Sequence, residues 1–82
     1  MNDEQPKEDE MTIARGSNVL VEHGVPETVI AYTDAGHAGY ARLIRYARRM
    51  GLSSANHTVD FYPPRVRGRP ADHVISSEIV KL

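Results

Sequence analysis

Residues 28–51 of this chain read TVIAYTDAGHAGYARLIRYARRMG, a β-branched run that passes directly into a helix-forming run. The first six residues are rich in β-branched and aromatic side chains, which predicts a strand. Thr33 or Asp34 then offers a side-chain oxygen that can cap the first turn of a helix. We predict this helix over residues 35–50, ended by Gly51 in the left-handed conformation that helix C-termini favour.

The small and apolar residues of this helix predict its buried side. At about 100° per residue, they fall in a single stripe along the helix. The stripe comprises Gly36, Tyr40, Leu43, Ile44, Ala47 and Met50. We therefore expect this side of the helix to pack against a sheet.

The segments on either side of the quoted stretch predict that sheet. Residues 18–23 and 28–33 are β-rich runs around a break that contains glycine and proline, which is typical of a hairpin. Residues 57–62 predict a third strand, which the two prolines after it end. Residues 72–82 favour a fourth strand, with a short helix as the competing interpretation.

The resulting order, β-β-α-β-β, predicts an α+β fold with two layers, in which one helix packs on a small, mostly antiparallel sheet. We expect the second face of the sheet to be open, either to water or to a second subunit. The 82-residue chain is long enough for one domain, which we assign to residues 11–82. Residues 1–10 are acidic and have no apolar residue after Met1, which predicts a disordered tail.

The composition excludes several classes of protein. The chain has no cysteine, which rules out disulfides, a thiolate zinc site and a cysteine nucleophile. Its apolar runs are too short to cross a bilayer, and its acidic N-terminus is unlike the basic start of a secretory signal. The four histidines lack metal-binding spacing. We expect a cytoplasmic protein with no metal, no cofactor and no enzymatic activity.

Charge is segregated along the chain, although the formal net charge is only −1. Residues 1–34 carry eight acids and two bases, whereas residues 42–69 carry seven arginines and one acid. Such asymmetry is typical of a protein with a nucleic-acid partner or of an acidic tail that acts as a module. The tail is either solvated or folds back on the arginines as an internal competitor for an anion.

The arginines of the predicted helix are the first candidate binding residues. Arg42, Arg45 and Arg49 project from the side opposite the apolar stripe, and Arg48 lies nearer its flank. No acid lies three or four residues from them on the helix to offset their mutual repulsion. Guanidinium groups suit phosphate because they donate two parallel hydrogen bonds. The alternative is a structural role, since the helix dipole favours cations near the C-terminus.

The loop after the third predicted strand holds the second set of candidates, Arg65, Arg67 and Arg69. Residues 67–70, Arg-Gly-Arg-Pro, resemble the AT-hook, a short extended element that lies in the minor groove of A·T-rich DNA. The resemblance implies that Arg67 and Arg69 enter the groove and that Gly68 lets the backbone approach its floor. A narrow minor groove attracts arginine electrostatically. The alternative is a proline-stiffened connection between two strands.

Together these features predict a non-enzymatic module that binds a polyanion. Nucleic acid is the favoured partner, and an acidic protein surface is the alternative polyanion. The helix arginines would position phosphates and the loop arginines would reach a groove. Among the aromatic residues, only Tyr46 shares the outer half of the helix with the arginines. Stacking of bases on aromatic side chains is therefore not expected.

Two alternative functions involve other surfaces. Glu22 and Glu27 belong to the acidic part of the chain, which could imitate phosphates toward a nucleic-acid-binding protein complex. In its small size and opposed charged faces, the chain resembles the general build of anti-CRISPR proteins. This resemblance implies a small inhibitor or regulator, of the kind that phages and mobile elements encode, acting by protein–protein interaction. The second alternative is a homodimer joined through the exposed sheet face.

Overall fold

A computed structural model describes residues 13–65 and 78–82 of the chain. The order of its elements is β-β-α-β-β, which confirms the predicted α+β class. The elements are β1 (Asn18–Glu22), β2 (Thr28–Thr33), α1 (His37–Met50), β3 (His57–Phe61) and β4 (Val80–Lys81). The predicted acidic tail, residues 1–10, lies outside the described residues.

The four strands form one sheet in the order β3-β1-β2-β4. Strand β1 is antiparallel to both β2 and β3, which confirms the predicted hairpin and the mostly antiparallel pairing. Strand β4 instead runs parallel to β2, with Val80 opposite Ala31, so the sheet is mixed. The strand interpretation of residues 72–82 therefore holds at the end of that segment, whereas residues 72–77 lie outside the described residues.

Apolar side chains line both faces of the sheet. Leu20 packs toward the helix, whereas its neighbours Val19 and Val21 lie on the opposite face. On that face they are covered by Ile13 and Ile79, from the segments that precede β1 and β4. The expectation of an open second face is therefore wrong at this strand, because a central strand with three consecutive buried apolar residues needs cover on both sides.

The start of α1 differs from the prediction. Gly36 caps the helix in place of Thr33 or Asp34, and no side chain bonds to the first turn. Thr33 is fully buried at the end of β2, where its hydroxyl donates to the carbonyl oxygen of Asp34 at 3.1 Å. Asn18 of β1 supports the same link, since its Nδ2 donates to the carbonyl oxygens of Asp34 at 2.8 Å and of Gly36 at 3.0 Å.

The buried side of α1 is rotated from the predicted stripe. Leu43 is fully buried, and Gly39 packs against the end of β2. Tyr46, which the sequence pattern assigned to the outer half, packs against the core, whereas Tyr40 is 48% exposed. Because only a glycine lets the helix backbone approach the sheet this closely, position 39 decides which side of α1 faces the core.

The end of α1 agrees with the prediction. Gly51 adopts the left-handed conformation with φ 72°, and its amide donates to the carbonyl oxygen of Arg48 at 3.1 Å. Met50, however, was expected in the buried stripe and is 56% exposed. It is the last residue of α1, and no buried cluster includes it among its packed neighbours.

Candidate polyanion-binding surface

Helix α1 presents its arginines to solvent on the side away from the sheet. Counted around the helix axis from the buried Leu43, Arg45 lies roughly 200° away, almost opposite. Three further arginines flank Arg45 on the same side of the helix, and all four side chains are exposed. We call this surface the arginine face; it consists of Arg42, Arg45, Arg48 and Arg49. Packing of the apolar side therefore directs the arginines outward, and no ion pair or hydrogen bond with another described residue fixes their side chains.

Three of these arginines line one shallow cleft. Arg42, Arg45 and Arg49 follow one another at i, i+3 and i+7, so they stack along the helix. The half-buried Tyr46 and Leu82 complete the lining of the cleft, which has a volume of about 200 Å³. At about 30 Å³ per water molecule, this space admits a phosphate group with part of its hydration shell.

No acidic side chain among the described residues pairs with the arginine face. Within residues 13–65 and 78–82, none of its four guanidinium groups forms an ion pair or a hydrogen bond. Helix α1 itself contains no acidic residue. Arginines three and four residues apart therefore repel each other, at a cost of about a few tenths of a kcal/mol per pair. An anion bound from outside would remove that cost.

The helix dipole accounts for the positions of only two of the four arginines. Its effect falls off within the last turn of a helix. The basic residues of the last turn of α1 are Arg48 and Arg49, and the dipole favours both. Arg42 and Arg45 lie in earlier turns, where the dipole offers them little. The dipole thus leaves Arg42 and Arg45 without a structural explanation.

Arg65 lies in a different cleft. It shares a cavity of about 650 Å³ with Val21, Thr58 and Glu27, among others. Thr58 is the β3 partner of Val21, so these residues belong to the sheet face opposite the helix. The structure therefore does not bring Arg65 together with the arginine face. Arg67 and Arg69, the AT-hook-like pair, lie outside the described residues.

The acidic residues considered as phosphate mimics lie at the hairpin end of the sheet. Glu22 is the last residue of β1 and is exposed, opposite Thr28 and His57 in the two neighbouring strands. Glu27 is half-buried and lines the same cavity as Arg65. Glu22 is therefore the more accessible of the two carboxylates.

One surface feature was missed by the sequence reasoning, namely a pair of exposed aromatic rings. Tyr40 of α1 and Phe61 of β3 line a cleft of about 420 Å³ together with His37 and Asn18. We call this the aromatic cleft; Phe61 is 62% exposed. Alternation along β3 places Phe61 on the helix side of the sheet, but the helix packs closer to β1 and β2 and leaves the β3 edge uncovered.

Comparison with protein-family models, with curated proteins and with solved structures finds no match to this chain. The part of the chain that the structure describes contains no group of three or more histidine, aspartate or glutamate residues placed to hold a metal ion. Nor does any helix in residues 13–65 and 78–82 have the length and apolar character needed to cross a membrane.

Proposed function

We propose that this protein is a non-enzymatic module that binds the phosphate backbone of a nucleic acid through the arginine face. The observation that carries this proposal is the cleft lined by Arg42, Arg45 and Arg49, none of which forms an ion pair with an acidic side chain among the described residues. Guanidinium groups bind phosphate oxygens through paired hydrogen bonds. We further propose that the protein acts in the cytoplasm.

The dimensions of the arginine face suit several consecutive phosphates. Arg42 and Arg49 are seven residues apart, which at 1.5 Å per residue is about 10 Å along the helix. One strand of a duplex rises about 3.4 Å along the duplex axis per nucleotide, so a helix lying along that axis would cover the rise of about three nucleotides. Arg48 lies on the other flank of Arg45 and adds a fourth positive charge within the same face.

The expected binding mode is independent of nucleic-acid sequence. We assign all four arginines of this helix side to phosphates, and the same side has no asparagine or glutamine to pair with adenine. Phosphate contacts position a protein on a duplex without reading its sequence. We therefore expect binding to depend on salt far more than on base composition.

A salt titration of binding to duplex DNA, RNA and heparin tests this proposal. With about four phosphate contacts, the affinity for duplex DNA should fall about 100-fold between about 50 mM and about 200 mM salt. In the triple variant Arg42→Gln, Arg45→Gln, Arg49→Gln, the slope of log K against log salt should become shallower by about 3. Circular dichroism checks that each variant remains folded.

Arg15→Gln is the matched control, because Arg15 is exposed and lies before β1, outside the arginine face. It should leave both the affinity and the slope close to those of the parent chain. Equal loss of binding in this control and in the triple variant would overturn the proposal. Glu22→Lys with Glu27→Lys tests the phosphate-mimic alternative, and we expect this pair not to weaken nucleic-acid binding.

A further inference from the structure

The sheet has two edges, and they differ in how well they are protected. Strand β4 is two residues long and carries Lys81, and both features discourage pairing with another chain. Strand β3 has five residues, His57–Phe61, with no lysine and no proline. It pairs with β1 on one side and with no other strand of the described residues. Strand β3 is therefore the edge that can accept another strand.

The outward backbone groups of β3 follow from its pairing with β1. The amide of Tyr62, directly after β3, donates to the carbonyl oxygen of Ser17, directly before β1, at 2.8 Å. Bonded positions alternate along an antiparallel pair, so the odd-numbered residues of β3 direct their N–H and C=O groups away from β1. These residues are His57, Val59 and Phe61.

One of the three outward amides is already satisfied. The amide of Phe61 donates to Oδ1 of Asp60 at 2.8 Å, while Oδ2 of the same carboxylate accepts the amide of Arg65 at 3.1 Å. The amides of His57 and Val59 have no partner among the described residues. A second strand must therefore supply carbonyl oxygens opposite the amides of positions 57 and 59, and at position 61 its carbonyl oxygen would replace Oδ1 of Asp60 as the acceptor.

We infer that β3 pairs antiparallel with β3 of a second copy of this chain, with Val59 opposite Val59 of the partner subunit. In this register, His57 lies opposite Phe61 and Thr58 opposite Asp60. The open amides of Val59 and His57 then meet the carbonyl oxygens of Val59 and Phe61. The carbonyl oxygen of His57 of the partner subunit faces the Phe61 amide, so pairing moves the hydrogen bond of that amide from Oδ1 of Asp60 to the partner.

Charge and apolar surface are consistent with the same register. No two like charges lie directly opposite each other, a placement that destabilises antiparallel pairs. The 62% exposed Phe61 would lie beside the imidazole ring of His57 of the partner subunit, on the helix side of the sheet. The pairing thus covers Phe61, the ring of the aromatic cleft that lies nearest the edge of the sheet.

The dimer would place both helices on one face of a continuous eight-stranded sheet, because directly opposed residues of paired strands share a face. Four strand spacings of about 4.8 Å separate the two helices, which places their axes about 20 Å apart. Each helix is about 10 Å wide, so a valley lies between two arginine faces. The role of this valley in nucleic-acid binding rests on the proposed function, whereas the pairing itself does not.

The molar mass in solution tests the pairing. We expect light scattering of the full chain, from about 10 µM to about 1 mM, to rise toward twice the monomer mass. Phe61→Lys places an exposed charge on this edge and should hold the mass at that of the monomer. Val80→Lys makes the same change at an exposed position of the opposite edge and should dimerise like the parent. A monomer throughout this range, or loss of the dimer in Val80→Lys alone, would overturn the inference.

Cross-linking tests the register, since the chain contains no cysteine of its own. A Val59→Cys variant brings two thiols together with Cα atoms about 5.5 Å apart, within the range that a disulfide spans. With oxidised glutathione as the oxidant, it should form covalent dimers at least tenfold faster than Thr58→Cys, whose two copies are not opposite each other. Equal rates for the two variants would reject this register.

The dimer and the proposed function can fail separately. Phe61→Lys leaves the arginine face intact, so each monomer should retain the salt-dependent binding described above, with lower affinity for long duplexes. The triple arginine variant should lose binding while its molar mass still rises with concentration. A triple variant that no longer dimerises would show that the arginine face, rather than β3, forms the contact.

Discussion

The Cα atom of Gly39 in α1 lies directly against the carbonyl oxygen of Asp34, in the link between β2 and the helix. A Cβ atom at position 39 would overlap that oxygen and lie 2.5 Å from Oγ1 of Thr33. The neighbours cannot easily yield, because Thr33 is fully buried and Asn18 bonds to the link from β1. This contact orients α1 and hence determines where its arginines point.

Replacement of Gly39 by alanine should destabilise the protein. At an ordinary helix position this change stabilises by about 1 kcal/mol through helix propensity. Here the added methyl group forces the helix away from the β2–α1 link, and we expect a loss of about 1–3 kcal/mol in the free energy of unfolding. Urea unfolding followed by circular dichroism measures it, with the exposed Ala38→Gly as the propensity control. A Gly39→Ala variant as stable as the parent would contradict the close contact.

Replacement of Asn18 by aspartate should be costly despite the nearly equal size of the two side chains. Asn18 is 1% exposed, and its Nδ2 donates to two carbonyl oxygens. A carboxylate there would face those oxygens with no proton to donate, at a cost of about 1–3 kcal/mol or more. Asn56→Asp, at an exposed position, should change stability by less than about 0.5 kcal/mol. Similar urea midpoints for the two variants would refute this role of Asn18.

Elements with a strong local signal could be predicted from the sequence. The hairpin, the helix and the third strand have bounds within two residues of the predicted ones. Gly51 also ends the helix in the predicted conformation, since left-handed φ is a local property of glycine. The exposure of the helix arginines was predictable for the same reason, because the side opposite an apolar stripe faces solvent.

Features that depend on tertiary contacts could not be predicted in this way. The helix carries a tyrosine on either side of Leu43, at positions 40 and 46, and periodicity alone does not decide which one is buried. The contact of Gly39 with the β2–α1 link decides it in favour of Tyr46. The separation of Arg65 from the arginine face likewise follows from the turn that Asp60 holds, because the Asp60 carboxylate bonds the amides of both Phe61 and Arg65 and so keeps Arg65 beside the end of β3.

Replacement of Gly51 by alanine should destabilise the C-terminus of the helix. Gly51 has φ 72°, a conformation that costs a residue with a Cβ atom about 1–2 kcal/mol. No atom lies within 4 Å of the position that a Cβ would occupy, so the loss is conformational rather than steric. Gly24→Ala is the matched control, since its Cβ would make an ordinary contact 3.5 Å from the carbonyl oxygen of Pro26. Equal melting temperatures for the two variants would contradict the prediction.

Replacement of Arg45 by glutamate should stabilise the free protein while it weakens polyanion binding. Residues 42, 48 and 49 lie three or four positions from Arg45, so a glutamate there converts three repulsive arginine pairs into attractive ones. Each converted pair loses a repulsion and gains an attraction of about 0.2–0.5 kcal/mol each, so the free energy of unfolding should rise by about 1–3 kcal/mol at low salt and less at high salt. Urea unfolding at two salt concentrations measures this gain, and Arg15→Glu controls for the change in net charge. If Arg45 had a structural role, the same variant would be less stable than the parent. That result would contradict the view that the unpaired arginines reduce stability and serve binding instead.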